Sequence, residues 1–243
     1  MRGYIISLDP AQLRDWSALS AIEVTRAIGS SYNSYKLISL ERRQREPYDL
    51  IAGWVKVAYN NPVFHKDTDY KPIFVMDSTN ERTLKDLLRR AGVPARGLTY
   101  TGGNGWKAEG RDFNVSKTLM VTSFLALWDS KRFSMPGRAS FAGMFSNELK
   151  AFRGEIGRLG RLRFEAEGSE HDDLVMSVCQ GCWFAEQFLK PKRKFQVPDY
   201  AGFRVGNCNP WETEETQSSD PFFRVNFDRA TQIQKEIAER AGR

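Results

Sequence analysis

Gly3-Tyr4-Ile5-Ile6-Ser7-Leu8-Asp9 is a short, nearly continuous apolar run closed by a carboxylate. A strand buried on both faces reads this way, because neither of its alternating sides meets water. Ile73-Phe74-Val75-Met76-Asp77 repeats the pattern, and a third acidic group, His171-Asp172-Asp173, opens a segment of helical spacing. When carboxylates from two strand ends and one helix start converge, their repulsion has to be relieved by cations, and hard oxygen ligands suit Mg²⁺ or Mn²⁺. That combination points to two-metal cleavage of a phosphodiester.

The chain has 243 residues, 41% of them hydrophobic, enough to bury a sizeable core in one domain plus extensions. Its formal charge of +6 is unevenly spread. Between Lys131 and Arg163 stand eight Lys or Arg against two Glu, a net of six that equals the whole excess. A concentrated basic face suits a polyanion such as DNA; a merely solvated charged face is the alternative. No stretch reaches the apolar length of a membrane span and no secretory leader is evident, so a cytosolic protein is expected. Three cysteines give no disulfide framework. Cys179 and Cys182 fall inside a helical pattern with no second pair to complete a zinc site, and they read as core. The sequence holds no phosphate-binding loop of the G-x-x-x-x-G-K-[ST] type; Gly102-Gly103-Asn104-Gly105 lacks the lysine and reads as a loop.

After Asp9 a polar turn containing Asp15 leads to a strand at Ser17 to Val24, and another follows at Tyr35 to Arg42. Connections this short favour antiparallel pairing. Ile51, Trp54, Val55 and Ala58 recur at helical spacing after Pro47, which is expected in the first turn. Beyond the strand ending at Asp77, Leu84, Leu87, Leu88 and Ala91 mark a helix with Gly92 as its stop. A strand at Gly97 to Thr101, a helix through Leu119, Leu125 and Trp128, a helical segment at Phe141 to Phe152, a strand at Leu162 to Ala166 and a helix at Asp172 to Phe188 complete a domain over residues 1–190. The expected class is α/β, with three antiparallel strands, then parallel strands, and helices on both faces of the mixed sheet. Residues 191–243, with a basic Lys192-Arg193-Lys194 run, an acidic Glu212 to Glu215 stretch and a last amphipathic pattern at Ala230, Ile233, Ile237 and Ala241, are expected to form an extension.

These motifs in this order, Gly3 to Pro10, Asp15-Trp16-Ser17-Ala18, Val75-Met76-Asp77, Thr101-Gly102-Gly103, Val115-Ser116-Lys117 and His171-Asp172-Asp173-Leu174-Val175, resemble the nuclease domain of tailed-bacteriophage large terminase subunits, within the RNase H-like superfamily. The resemblance covers about residues 3 to 189. It implies an endonuclease that uses two divalent cations, Mg²⁺ or Mn²⁺, to cut concatemeric viral DNA during genome packaging in the cytoplasm of an infected bacterium. Double-stranded DNA, an ATPase motor domain of the same polypeptide, the small terminase subunit and the portal protein are its implied partners, and no membrane. With no ATPase motif present, the chain reads as the nuclease domain without its motor. A Holliday-junction resolvase, a transposase core and a non-catalytic DNA- or portal-docking module are the competing readings.

The resemblance makes Asp9, Asp77 and Asp173 the principal metal ligands and catalytic acids, with Asp172 and Asp15 nearby. Burial supports Asp9, since an unpaired charge at the end of a buried strand is costly. Asp77 precedes Ser78-Thr79-Asn80 and has a turn or helix cap as its alternative. Asp172 and Asp173 lie where a helix N-terminus welcomes negative charge without any metal, and of the two Asp172 is expected to be the cap. Asp15 has local hydrogen bonding in a turn as its alternative. His171 and Lys117 are accessory candidates, at a carboxylate or the scissile phosphate and at the substrate backbone respectively. Arg153, Arg158, Arg161 and Arg163 form the expected DNA-binding surface.

Overall fold

The computed structural model describes residues 1–11, 15–102, 105–137, 140–156, 162–166 and 172–189, with the backbone alone at 151–156 and 162–166. The expected extension at 191–243 and His171 lie outside the described residues.

The opening apolar run is a central strand. β1 (Arg2–Asp9) is buried from Gly3 through Leu8. It pairs antiparallel with β2 (Trp16–Thr25), which pairs antiparallel with β3 (Ser34–Gln44), as the short connections require. On its other side β1 runs parallel to β4 (Ile73–Asp77). β5 (Arg96–Thr101) continues the parallel set. Two strands not expected from the sequence extend that side. β6 (Trp106–Glu109) and β7 (Asp112–Ser116) form a hairpin that turns at Gly110, held at φ +63°, and β7 joins β5 in parallel. A two-residue β8 (Phe133–Ser134) closes the far edge, giving one eight-stranded sheet in the order β6-β7-β5-β4-β1-β2-β3-β8.

Strand alternation divides the core in two. Tyr4, Ile6 and Leu8 pack on one side with Phe74 and Met76, against α1 (Tyr48–Tyr59) and α2 (Arg82–Arg90). Ile5 and Val75 face the other side, which carries α3 (Lys117–Asp129), α4 (Ala142–Ala151) and α5 (Asp173–Phe188). Each fully buried aliphatic side chain here contributes about 1.5–3 kcal/mol through removal from water. Pro47 is the N-cap of α1 rather than part of its first turn, in extended conformation at φ −66° and ψ 155°. Gly92, at φ +87°, ends the α2 segment, where the Val93 N–H reaches back to the Leu88 carbonyl.

Three other expectations shift. The buried side of α3 is Met120, Val121, Phe124 and Leu127, while Leu119 and Leu125 flank it and Trp128 is 39% exposed. This helix is apolar around most of its circumference, so spacing alone did not single out a face. The helix expected through Phe152 ends at Ala151, and Phe152 opens β9 (Phe152–Ile156). The strand at Leu162–Ala166, β10, pairs with β9 in a separate two-stranded sheet. Cys179 and Cys182 are buried free thiols in α5, as expected. No described helix is long and apolar enough to cross a membrane.

Candidate metal centre

Main-chain pairing puts the first two carboxylates side by side. Leu8 lies opposite Met76 in the parallel β1–β4 ladder, so Asp9 and Asp77 are the next residues on adjacent strands at the same sheet end. Asp9 shares its side of the sheet with Ile5 and Ser7, and Asp77 with Ile73 and Val75. Both therefore face the layer that contains α5.

α5 crosses that face over β1, β2 and β4. Its contact with the sheet is polar as well as close. Ser7 Oγ donates to the Ser177 carbonyl at 2.6 Å and lies 2.8 Å from Ser20 Oγ, which itself reaches the same carbonyl at 3.2 Å. Gly181 completes the fit, since a Cβ there would stand 2.8 Å from Ser7 Oγ and 2.9 Å from Ile22 Cδ1. With the helix seated this way, its first residue, Asp173, brings a third carboxylate to the Asp9–Asp77 end.

The electrostatics record the convergence. Burial pushes the Asp9 carboxyl well above the usual carboxylate range, and the charges of Asp77, Asp173 and Asp172 push it further, against a smaller opposing pull from Lys117. Asp77 is also raised by burial, but less freely. The Thr79 N–H and hydroxyl donate to its Oδ1 at 2.8 and 2.6 Å, so the turn acid considered from the sequence is real and occupies one oxygen.

Asp172 stands at the N-cap position of α5, yet its side chain makes no capping hydrogen bond. It pairs instead with Lys117 Nζ at 2.8 Å. That corrects the expectation of a cap. It also redirects Lys117, the first residue of α3, toward an acid of the centre. The buried Leu174 N–H at the α5 start is met by Glu148 of α4, which the sequence reading missed. Glu148 is 5% exposed; its Oε2 accepts from the Leu174 N–H at 3.0 Å and its Oε1 from Arg42 at 3.0 Å. Burial, reinforced by the charge of Asp173, pushes its carboxyl up to about 7. Glu148 falls on the inward face set by Phe141 and Phe145, and an acid at a core-facing position was the available signal.

Two further polar groups went unnoticed in the sequence. Gln180, two turns along α5 from Asp173, is fully buried. Its Nε2 donates to Asp9 Oδ1 at 3.2 Å and to the Tyr100 hydroxyl at 2.6 Å. Burial and then the charges of Asp9 and Asp77 raise the Tyr100 phenol well above its ordinary range, so it stays neutral. An amide among the buried, mostly apolar residues of α5 was the trace Gln180 left.

Asp15 is exposed on the turn before β2 and is not among the charges that act on Asp9. Arg158 and Arg161 lie outside the described residues. Arg153 and Arg163 belong to the β9–β10 pair, where the register sets them opposite Glu165 and Glu155. A cleft of about 910 Å³ opens at the other end of β4, bordered by Lys71, Arg89, Arg96 and Arg111. Its charge is of the wrong sign to hold a cation, and it is separate from the carboxylates.

Among the described residues no three acidic, imidazole or thiol side chains are gathered closely enough to hold one ion between them. The donor set nevertheless fits a hard divalent cation in kind. It consists of carboxylate oxygens whose charges act on one another, and the cation at hand, Lys117, is shared with Asp172.

No protein-family model and no curated protein matches the sequence. Solved structures do. The large terminase nuclease from thermophilic phage G20c with bound magnesium superposes with a TM-score of 0.54 at 18% identity, covering 75% of this chain and 81% of that one. The Thermus phage P74-26 large terminase nuclease domain gives 0.52 at 19% identity, over 74% and 78%. The P22 large terminase nuclease domain gives 0.50 at 13% identity, over 77% and 82%. The chain shares the fold of these three solved domains.

Proposed function

We propose that this chain is a divalent-metal-dependent endonuclease that hydrolyses phosphodiester bonds of double-stranded DNA, cutting concatemeric viral DNA during genome packaging. One observation carries the reading: the β1–β4 register sets Asp9 beside Asp77, and α5 presents Asp173 on the same face, in a fold shared with terminase nucleases. The G20c nuclease, solved with bound magnesium, supports the choice of cation.

Asp9, Asp77 and Asp173 would hold Mg²⁺ or Mn²⁺, two ions in this reading, with Asp172 beside them. The metal, when bound, supplies Lewis-acid activation of water and of the phosphodiester. The chain's own part is orientation. The Thr79 bonds to Asp77 Oδ1 fix that carboxylate, and the Lys117–Asp172 pair sets a positive group beside the acids, where a substrate phosphate would arrive. Arg153, Arg158, Arg161 and Arg163 fall in the basic span that would follow the DNA backbone, which implies weak sequence preference and binding that weakens steeply with salt. An ATPase motor domain, the small terminase subunit and the portal are the partners this reading assigns.

Supercoiled plasmid incubated with the protein in EDTA, Mg²⁺ or Mn²⁺ tests it. Nicking and linearisation that need metal, and that disappear in both Asp9→Asn and Asp173→Asn, are the expected result. Salt-sensitive DNA binding with no cleavage under any metal would replace the enzyme with a docking module. A marked preference for four-way junctions over linear duplex would replace it with a resolvase.

A further inference from the structure

Asp9 has two carboxylate oxygens, and the protein treats them differently. Oδ1 accepts the amide N–H of Gln180, whose other N–H is held by the Tyr100 hydroxyl. We propose that Gln180 and Tyr100 are positioning residues that commit Asp9 Oδ1 to the protein and leave Oδ2 as the oxygen offered to a divalent cation. This inference rests on the metal-nuclease reading.

Three features of the geometry support it. Gln180 is fully buried, so water does not compete for its amide. The donor is neutral, so it orients the carboxylate without adding a positive charge that would compete with a metal, as Lys or Arg would. The orientation of the amide is imposed rather than self-satisfied, because Gln180 Oε1 is buried with no hydrogen-bond partner among the described residues. Turning the amide over would point that carbonyl at the Asp9 carboxylate, so the unfavourable acceptor is the lesser cost. Tyr100 blocks the remaining freedom by fixing the second N–H.

The three residues come from separate elements, β1, β5 and α5. Leu98 and Tyr100 lie on the same side of β5, the side on which Asp9 and Asp77 emerge from β1 and β4. Gln180 bridges from the helix above. The link therefore ties the carboxylate to the helix that brings Asp173. Groups that hold metal ligands by a hydrogen bond typically change metal affinity about 10- to 100-fold when lost.

The test is isothermal titration of Mn²⁺ into wild type, Gln180→Met and Tyr100→Phe, with melting in EDTA and nicking measured as a function of Mn²⁺. Methionine keeps the length of Gln180 and removes its donor and its unpaired acceptor. The expected result is Mn²⁺ affinity about tenfold weaker or more in Gln180→Met, a matching rise in the Mn²⁺ needed for half-maximal nicking, and an unchanged KM for plasmid. Melting in EDTA should fall modestly, because the buried Asp9 carboxylate and Tyr100 hydroxyl lose their donor. Tyr100→Phe should move Mn²⁺ affinity the same way by a smaller factor, which keeps the proposal testable if Gln180→Met does not fold. Unchanged Mn²⁺ affinity in both variants, in a background where wild type binds Mn²⁺ and nicks, would overturn the positioning role and leave the nuclease intact. A wild type that neither binds Mn²⁺ nor nicks would overturn the nuclease reading and this inference with it.

Discussion

Gln180 and Asp9, 171 positions apart in the chain, share a hydrogen bond of 3.2 Å from the helix amide to the strand carboxylate. With the Ser7 and Ser20 bonds to the Ser177 carbonyl, it ties the helix that supplies Asp173 to the sheet that supplies Asp9 and Asp77. The carboxylates are thus held as one unit while their charges work against that arrangement.

The cost of that opposition can be measured. Asp9 is buried beside three other carboxylates, so its ionised form is held against both desolvation and repulsion. Asp9→Asn removes the charge and keeps an acceptor for Gln180. In EDTA at pH 8 this variant should melt above wild type, by on the order of 1 kcal/mol, while losing metal-dependent nicking. A melting temperature well below wild type would make Asp9 a structural residue.

Lys117 has the opposite sign in the same balance. Its charge eases the ionisation of both Asp9 and Asp77. Lys117→Gln should lower the melting temperature in EDTA and tighten Mn²⁺ binding on the order of fivefold, because the centre becomes more negative by one charge. Titration calorimetry and melting on one preparation read both effects, and weaker Mn²⁺ binding would place the lysine among the supports of the ligands instead.

How closely α5 sits on the sheet decides where Asp173 lies. Gly181→Ala puts a Cβ against Ser7 Oγ and Ile22 Cδ1. Overpacking of this kind costs about 1–3 kcal/mol, and lifting the helix should reduce nicking as well as the melting temperature. Adding Ser7→Ala removes one of the two obstacles and should restore part of both. A Gly181→Ala protein as active and stable as wild type would show that the helix contact has slack.

Acid stability should be set partly at the other end of the sheet. Burial alone would raise the Asp112 carboxyl, but hydrogen bonds from Lys85 and the Gly97 N–H and the charges of Lys85 and Arg89 outweigh it, and its pKa is lowered. A carboxyl lowered in the fold stabilises above its unfolded value, about 4, and that contribution disappears as pH falls through the lower folded value. Asp112→Asn should therefore be less stable at pH 7 by about 1 kcal/mol, given the partial exposure of the group, with the gap closing below pH 4. Melting curves from pH 3 to 7 check it, and a gap that persists in acid would assign the effect to packing.

The parts of the fold that were legible in the sequence are those where burial is complete. β1 and β4 read directly because every residue between their ends is apolar or small, and their closing aspartates were conspicuous for the same reason. β6 was not legible, since it is an almost wholly exposed edge strand with little apolar signal, and β7 left only Phe113 and Val115 as an alternating apolar pair. Within the centre, Asp9, Asp77 and Asp173 could be named from chain position, but Gln180, Tyr100 and Glu148 could not. A buried polar residue in a mostly apolar helix looks like an interruption until the partner across the layer is known. Asp172 was misjudged because a helix cap and a lysine partner ask for the same residue at the same place, and only side-chain direction separates them.

The pairing of Leu8 with Met76 has a consequence for assembly of the sheet. Strand side chains alternate, so a slip of β1 by one residue would turn Asp9 out of its polar corner and toward Ile51, Phe74, Met76 and Leu84, while Ile6 and Leu8 left that cluster. A carboxylate has no partner there, and a mispaired chain would be rejected during folding by the penalty of burying it. The acids proposed to hold the metal would thereby also proofread strand alignment, and a chain that reaches the correct register has Asp9 and Asp77 side by side as soon as it folds.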